Sequence, residues 1–223
     1  TQIKMVIQLK KLRTDTLRTR LSLLMAASEI FAKKGFWNAT FEEICHKADT
    51  NVASINYHFG SKENLYIETW KYTFEKSMKK HPPNGNALPT DPPEKRIRGR
   101  IISILERIVD PEDYDFEIVH KEVSNPTGLL FDVFSKTIEP IDNAFKELIR
   151  EYLGEGASDE LVDFCFNSIL SLCFMPMLHL RVKQESPPIP TPSLNISNTD
   201  IEKLTDYFIQ FIFNGINSFC QKK

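Results

Sequence analysis

Glycine is scarce in this chain, at 8 of 223 residues. That argues against the glycine-rich phosphate loops of nucleotide folds and against sandwiches built on many tight turns. No stretch reads GxSxG, GxGxxG, HExxH or a Walker loop, so no catalytic residue and no cofactor is expected. The five histidines, His46, His58, His81, His120 and His179, show no metal-ligand spacing. His120 and Glu122 are two apart and would not share a helix face. No metal is therefore expected. The four cysteines, Cys45, Cys165, Cys173 and Cys220, form no CxxC pair, which fits neither a zinc knuckle nor a disulfide scaffold. Scattered single cysteines in apolar runs suit a reducing cytoplasm.

Long apolar runs are also missing. Residues 164–180 carry no charge, but the run is shorter than the roughly 20 apolar residues of a span and contains Asn167, Ser168, Ser171, Pro176 and His179. A buried helix is expected there, with no membrane partner. Residues 5–12 are too short for a signal peptide and are interrupted by Gln8, Lys10 and Lys11.

What is present is apolar bulk. The apolar share is 41%, and 16 phenylalanines point to a packed globular core. The net charge of −2 hides a split. Residues 1–80 hold 14 Lys/Arg against 8 Asp/Glu, and residues 81–223 hold 14 against 22. Charge asymmetry of this kind suggests a division of labour, although chance clustering gives the same figures.

The periodicity is helical throughout, with no strand and no repeat. Leu17, Leu21, Leu24, Ser28 and Phe31 mark a stripe on a helix over residues 15–34, which Gly35 should stop. Residues 1–12 read as a loose arm, an extension of that helix, or residues foreign to the natural chain. Thr40 and Glu43 form a capping box for a helix to Lys47 that buries Phe41, Ile44, Cys45 and Ala48. Asn51 is a good N-cap for a short helix over 52–57 that buries Ile55. Ser61 caps a helix over 62–79, with Leu65, Tyr66, Thr69, Trp70 and Phe74 inward. Residues 81–93, with five prolines, are a loop. Beyond it, Ile97, Ile101, Ile104, Leu105 and Ile108 form a stripe. Helices are expected over 116–123, 127–138 and, with Pro140 in its first turn, to Leu153. Gly154 and Gly156 end that helix. Ser158, Asp159 and Glu160 open a long helix to Lys183, with a kink at Pro176. A loop over 187–199 precedes a capping box at Thr199 and Glu202 and a last helix to Cys220. On that helix Leu204, Phe208, Phe211, Ile212 and Gly215 share a side.

Three short helices at the basic end suggest a helix-turn-helix. The 40–47 helix would cross the DNA backbone and the 51–57 helix would enter the major groove. Val52, Ala53, Ser54 and Asn56 are small or polar enough to approach base edges. Thr40, Tyr57, His58 and Lys62 have the donor chemistry for phosphate. Periodicity alone equally allows a plain three-helix core in which Tyr57 and Phe59 pack inward.

The run Ile55-Asn56-Tyr57-His58-Phe59-Gly60-Ser61-Lys62-Glu63-Asn64-Leu65-Tyr66 resembles the end of the DNA-binding domain of the TetR family of bacterial one-component regulators. Ala26-Ala27-x-x-Ile30-Phe31-Ala32-x-x-Gly35-Phe36 and Thr40-x-x-x-Ile44-x-x-x-Ala48 resemble the family's first two helices, in order and spacing. The resemblance covers about residues 16–70. It implies an all-α fold of about nine helices: an N-terminal arm and helix-turn-helix domain (1–61) and a C-terminal helical effector-binding and dimerisation domain (62–223, with a linker helix over 62–80). It carries DNA contacts onto Thr40, Asn51, Val52, Ala53, Tyr57, His58 and Lys62. Asn56 stands where many members have Tyr, and Asn can pair with adenine.

Farther on, His120-Lys121-Glu122-x-x-Asn125-Pro126-Thr127-Gly128-Leu129 and Ile138-Glu139-Pro140 resemble the CecR-like branch. An effector pocket is expected from His120, Phe131, Phe134, Phe166, Phe174, Met177 and His179, although ordinary core or interface explains each residue singly. The implied partners are a palindromic double-stranded operator, a small-molecule effector and a second copy held through the last two helices. The implied function is a repressor released by its effector. The competing reading is a helical interaction or adaptor protein without DNA binding.

Overall fold

The computed structural model describes residues 2–154, 156–182 and 201–220, with side chains from Asp15 onward except at 175–182, 201, 202 and 204. Among the described residues there are ten helices and no strand. They are α1 (Gln2–Asn38), α2 (Phe41–Lys47), α3 (Val52–Phe59), α4 (Lys62–Lys80), α5 (Pro93–Val109), α6 (Asp115–Ser124), α7 (Phe131–Thr137), α8 (Glu139–Leu153), α9 (Asp159–Val182) and α10 (Ile201–Asn217). None of the described helices is long and apolar enough to cross a membrane.

The chain divides into two compact units. One runs to Ser77 and adds Glu112–Phe134; the other takes Met78–Pro111 and the chain from Ser135. In the first unit α1 packs on α2, α3 and α6. Its core is Leu23, Ala27 and Phe31 of α1, Ile44, Ile55, Leu65, Tyr66, Trp70 and Ile118, all fully or almost fully buried. The Phe31 and Tyr66 rings meet edge to face at 4.9 Å. Apolar area of this kind, at roughly 25 cal/mol per Å² removed from water, is what holds the short α2 and α3 in place.

Helix α1 differs from its expected span. Its backbone is helical from Gln2, so residues 2–12 extend the helix, and it breaks at Gly35 (φ 72°, ψ 176°) before a last turn to Asn38. The expected stripe is also shorter. Leu24, Ser28 and Phe31 are buried, but Leu17 is 61% and Leu21 46% exposed. Burial starts only at Leu23, so the apolar period of the sequence runs past the end of the packed surface. Phe41 is half-buried, whereas Ile44, Cys45 and Ala48 are buried as expected.

In the second unit α5 packs on α8, α9 and α10, and α9 packs on α8 and α10. Ile97, Ile101, Ile104 and Leu105 are buried on α5, and Phe145, Ile149, Val162, Ile169, Cys173, Ile209, Ile212 and Ile216 close the core. The proline-rich loop docks on α5. His81 lies between Glu106 (3.2 Å) and Asp110 (2.9 Å), and the Ser103 hydroxyl donates to the His81 carbonyl at 3.1 Å. Gly99 lets the loop come this close, because a Cβ there would lie 2.2 Å from the Asn84 carbonyl oxygen. Pro140 sits in the first turn of α8, and the Leu161 N–H donates to Ser158 Oγ at the start of α9. The backbone of α9 continues through Pro176, but the expected kink, like the capping box at Thr199, lies outside the described side chains.

The helix expected over 127–138 is shorter, at Phe131–Thr137. Residues 127–130 form a turn instead. Thr127 N and Oγ1 (3.0 and 2.9 Å) and Gly128 N (2.9 Å) all donate to Glu122 Oε1. A buried carboxylate with these donors outcompetes one more turn of α7.

Candidate nucleic-acid interface

Helix α2 begins on a complete capping box. The Glu43 N–H donates to Thr40 Oγ1, and the Thr40 N–H donates to Glu43 Oε2, each at 3.3 Å. Glu43 also pairs with Lys34 of α1. The turn after α2 is tight. Thr50 N–H donates to the Cys45 carbonyl at 3.0 Å, and Asp49 takes a left-handed conformation (φ 52°) that Asp tolerates better than most residues. Ser22 of α1 fastens this turn by donating to the Ala48 carbonyl at 3.1 Å. Asn51 then caps α3, accepting from Ser54 N–H at 3.1 Å, while Thr50 Oγ1 donates to Ser54 Oγ at 2.9 Å.

This framework decides which way α3 faces. Ile55 (0%) and Phe59 (6%) point into the core. Asn51, Val52, Ala53, Asn56 and Tyr57 are exposed, Tyr57 at 76%. The plain-core alternative therefore fails for Tyr57 and holds for Phe59. The outward face carries no residue bulkier than Val before Asn56, so the helix backbone can lie close to a groove floor.

The flanking cations are partly occupied. Lys62 is half-buried with its ammonium 4.7 Å above the Phe36 ring, and burial pulls its pKa down. Arg20 lies 4.8 Å over the Phe59 ring and bridges to Glu68 at 3.0 Å. His58 is half-buried against Tyr57; burial, and then the charge of Arg20, lower its pKa, which favours the neutral ring. Arg18 is exposed, while the side chains of Lys10, Lys11 and Arg13 lie outside the described residues.

The residues expected to line an effector pocket fall in both units. His120, Phe131 and Phe134 belong to the first unit; Phe166 and Phe174 belong to the second. Phe131 is 72% exposed, and Phe134 meets Trp70 edge to face at 4.6 Å. His120 and Phe174 are half-buried, and Phe166 is buried against Phe145. Met177 and His179 have side chains outside the described residues. A cavity of about 500 Å³ in the first unit is lined by Met25, Glu29, Lys47, Tyr72, Lys76 and Tyr114, among others. In the second unit, Phe164 (59% exposed), Phe211 (67%) and Phe219 (46%) border an apolar groove of about 310 Å³.

Sequence reasoning missed the role of Glu122. It is 8% exposed and, besides the 127–128 turn, accepts from the Tyr66 hydroxyl at 3.1 Å. The burial of Tyr66 and its carboxylate neighbour hold that hydroxyl well above the usual tyrosine range, so it remains a donor. The available signal was an acidic residue five and six positions before a Thr-Gly pair.

α2 and α3 thus make a capped helix-turn-helix, in a chain that carries a second helical unit. Residues 23–69 match the bacterial regulatory proteins of the tetR family, and residues 93–216 match the C-terminal domain of the HTH-type transcriptional dual regulator CecR. The chain therefore belongs to the TetR family, in its CecR branch. It is 28% identical over 147 residues to the HTH-type transcriptional dual regulator CecR of Shigella flexneri, covering 61% of this chain and 66% of that protein, just under two thirds of its length. The fold is similar to that of a TetR-like transcriptional regulator from Rhodococcus sp. RHA1, with a TM-score of 0.66, 12% identity and coverage of 89% and 96%. It is also similar to AibR, solved in complex with isovaleryl coenzyme A and operator DNA, with a TM-score of 0.60, 14% identity and coverage of 87% and 98%.

Proposed function

We propose that this chain binds a palindromic operator as a homodimer, represses transcription there, and is released by a small-molecule effector. The observation that carries the reading is the outward face of α3. Asn51, Val52, Ala53, Asn56 and Tyr57 stand exposed on a helix whose turn is fixed by two caps and by Ser22. In this reading Val52 and Ala53 approach base edges, Asn56 pairs with an adenine edge, and Thr40, Tyr57, His58 and Lys62 hold phosphates. Residues 1–61 then form the DNA-binding domain, and residues 62–223, led by the 62–80 linker helix, form the effector and dimer domain. The site of action is the bacterial cytoplasm.

The dimer is formed by α9, α10 and the turn after α10 through Phe164, Phe211 and Phe219. Aromatic groups left this exposed on two adjacent helices are what a two-fold interface buries. A two-fold dimer sets its half-sites about 34 Å apart, one helical turn of DNA. An effector bound in the C-terminal domain favours a different separation of the two α3 helices, and operator affinity falls by its differential affinity for the two states.

Fluorescence polarisation against genomic fragments tests the reading. A fragment bound well above the non-specific level at moderate salt supports it; uniform weak binding to all fragments favours the adaptor alternative. Lys62→Ala should weaken binding to every sequence alike and lower the salt slope by about one. A change in sequence preference would contradict the phosphate role.

A further inference from the structure

Helix α5 carries a charge where its apolar stripe calls for hydrocarbon. Ile97, Ile101 and Ile104 are buried there, and Arg100, on the same side, is only 8% exposed. Arg107, two turns farther on, is buried to the same extent. The Arg100 guanidinium lies 5.4 Å from the centre of the Phe145 ring of α8. A ring satisfies the face of a guanidinium. The N–H donors point outward in its plane, where a ring offers them no acceptor. The Nε of Arg100 is buried with no hydrogen-bond partner. Asp142, about one turn before Phe145 on α8, attracts Arg100 through space, but no hydrogen bond joins them among the described residues. Burial pushes the Asp142 carboxyl up and the Arg100 guanidinium down, as happens when opposite charges are only partly compensated.

Buried charge of this kind is disfavoured unless it is paired and hydrogen-bonded, and a Leu or Met at position 100 would complete the stripe at no such cost. The position makes physical sense if the missing acceptor is a ligand. We propose that Arg100 anchors the anionic headgroup of the effector, an organic carboxylate or phosphate ester with an apolar body. This rests on the effector reading above. The planar fork of Arg100 matches two oxygens of such a group in a way that a point charge does not. Arg107 adds a second positive charge to the same stripe. The Phe145 and Phe166 rings, 5.8 Å apart, supply apolar surface beside the anchor. Asp142 is the resident counter-charge while no ligand is bound.

The test titrates the full chain with octanoate, benzoate and phenyl phosphate, and with octanamide and benzamide as uncharged counterparts. Melting temperature and release of a labelled operator fragment are followed together. At least one anion should raise the melting temperature and release the operator, with its amide at least ten-fold weaker. Arg100→Met should abolish both responses, while Arg98→Met, at an exposed position, should retain them. An amide as potent as its acid, an unchanged response in Arg100→Met, or no anion acting at all would overturn the proposal. If uncharged compounds release the operator and acids do not, the anion assignment falls and the effector reading stands. If no fragment is bound to begin with, the regulator reading falls as well.

Discussion

Helix α3 turns Val52, Ala53, Asn56 and Tyr57 to solvent, whereas α9 and α10 turn out Phe164, Tyr207 and Phe211. Each face is unburied, but their chemistry differs. The first is narrow, small and hydrogen-bonding, and suits a groove lined by base edges and phosphates. The second is broad and aromatic and suits another apolar surface. The difference supports the proposed division of partners, DNA for the first face and a second copy for the other, and each proposal can be broken separately.

The largest effect is expected at the aromatic face. Phe164→Asp with Phe211→Asp places four carboxylates in a two-fold interface and should yield monomers in analytical ultracentrifugation. Loss of two-site engagement should weaken operator binding by more than about 100-fold. A variant that stays dimeric would place the interface elsewhere. Next comes α3. Asn56→Ala should relax preference at one operator position by about 1–3 kcal/mol, read by binding to singly substituted duplexes. A uniform loss across all duplexes would make Asn56 a phosphate contact. Thr40→Ala removes the α2 cap and should cost about 1 kcal/mol of stability in urea unfolding, with a further loss on DNA. The smallest effect concerns His58. Its folded pKa is lowered, so the unfolded chain takes up a proton first as pH falls. Stability from this group is therefore complete above about pH 6.5 and declines on acidification below it. His58→Gln should flatten that part of the stability profile, measured by melting between pH 5 and 7.5.

The same contrast governs what could be read from the sequence. The caps at Thr40, Asn51, Ser61 and Ser158 and the first-turn Pro140 were all legible, because a cap acts over three residues and leaves a local mark. The face of α3 was readable at Ile55, whereas Tyr57 and Phe59 stayed open between groove and core until tertiary packing separated them. Where tertiary contacts decide, local patterns misled. The stripe of α1 continues through Leu17 and Leu21, but nothing in its own period says where packing begins. The turn at 127–130 depends on Glu122, and Arg100 stands on an apolar stripe whose neighbours come from α8. The expected effector residues shared an aromatic character, and residue type alone does not tell a pocket lining from core or interface.

The most direct test is a polarisation titration of the wild-type chain and Asn56→Ala on a duplex carrying two half-sites about 34 Å apart, repeated over a range of salt concentrations. The account expects one dimer per duplex, affinity falling steeply with salt, and a preference relaxed at a symmetric pair of positions in Asn56→Ala. Binding that ignores both half-site spacing and the residue at position 56 would contradict the claim that α3 reads DNA.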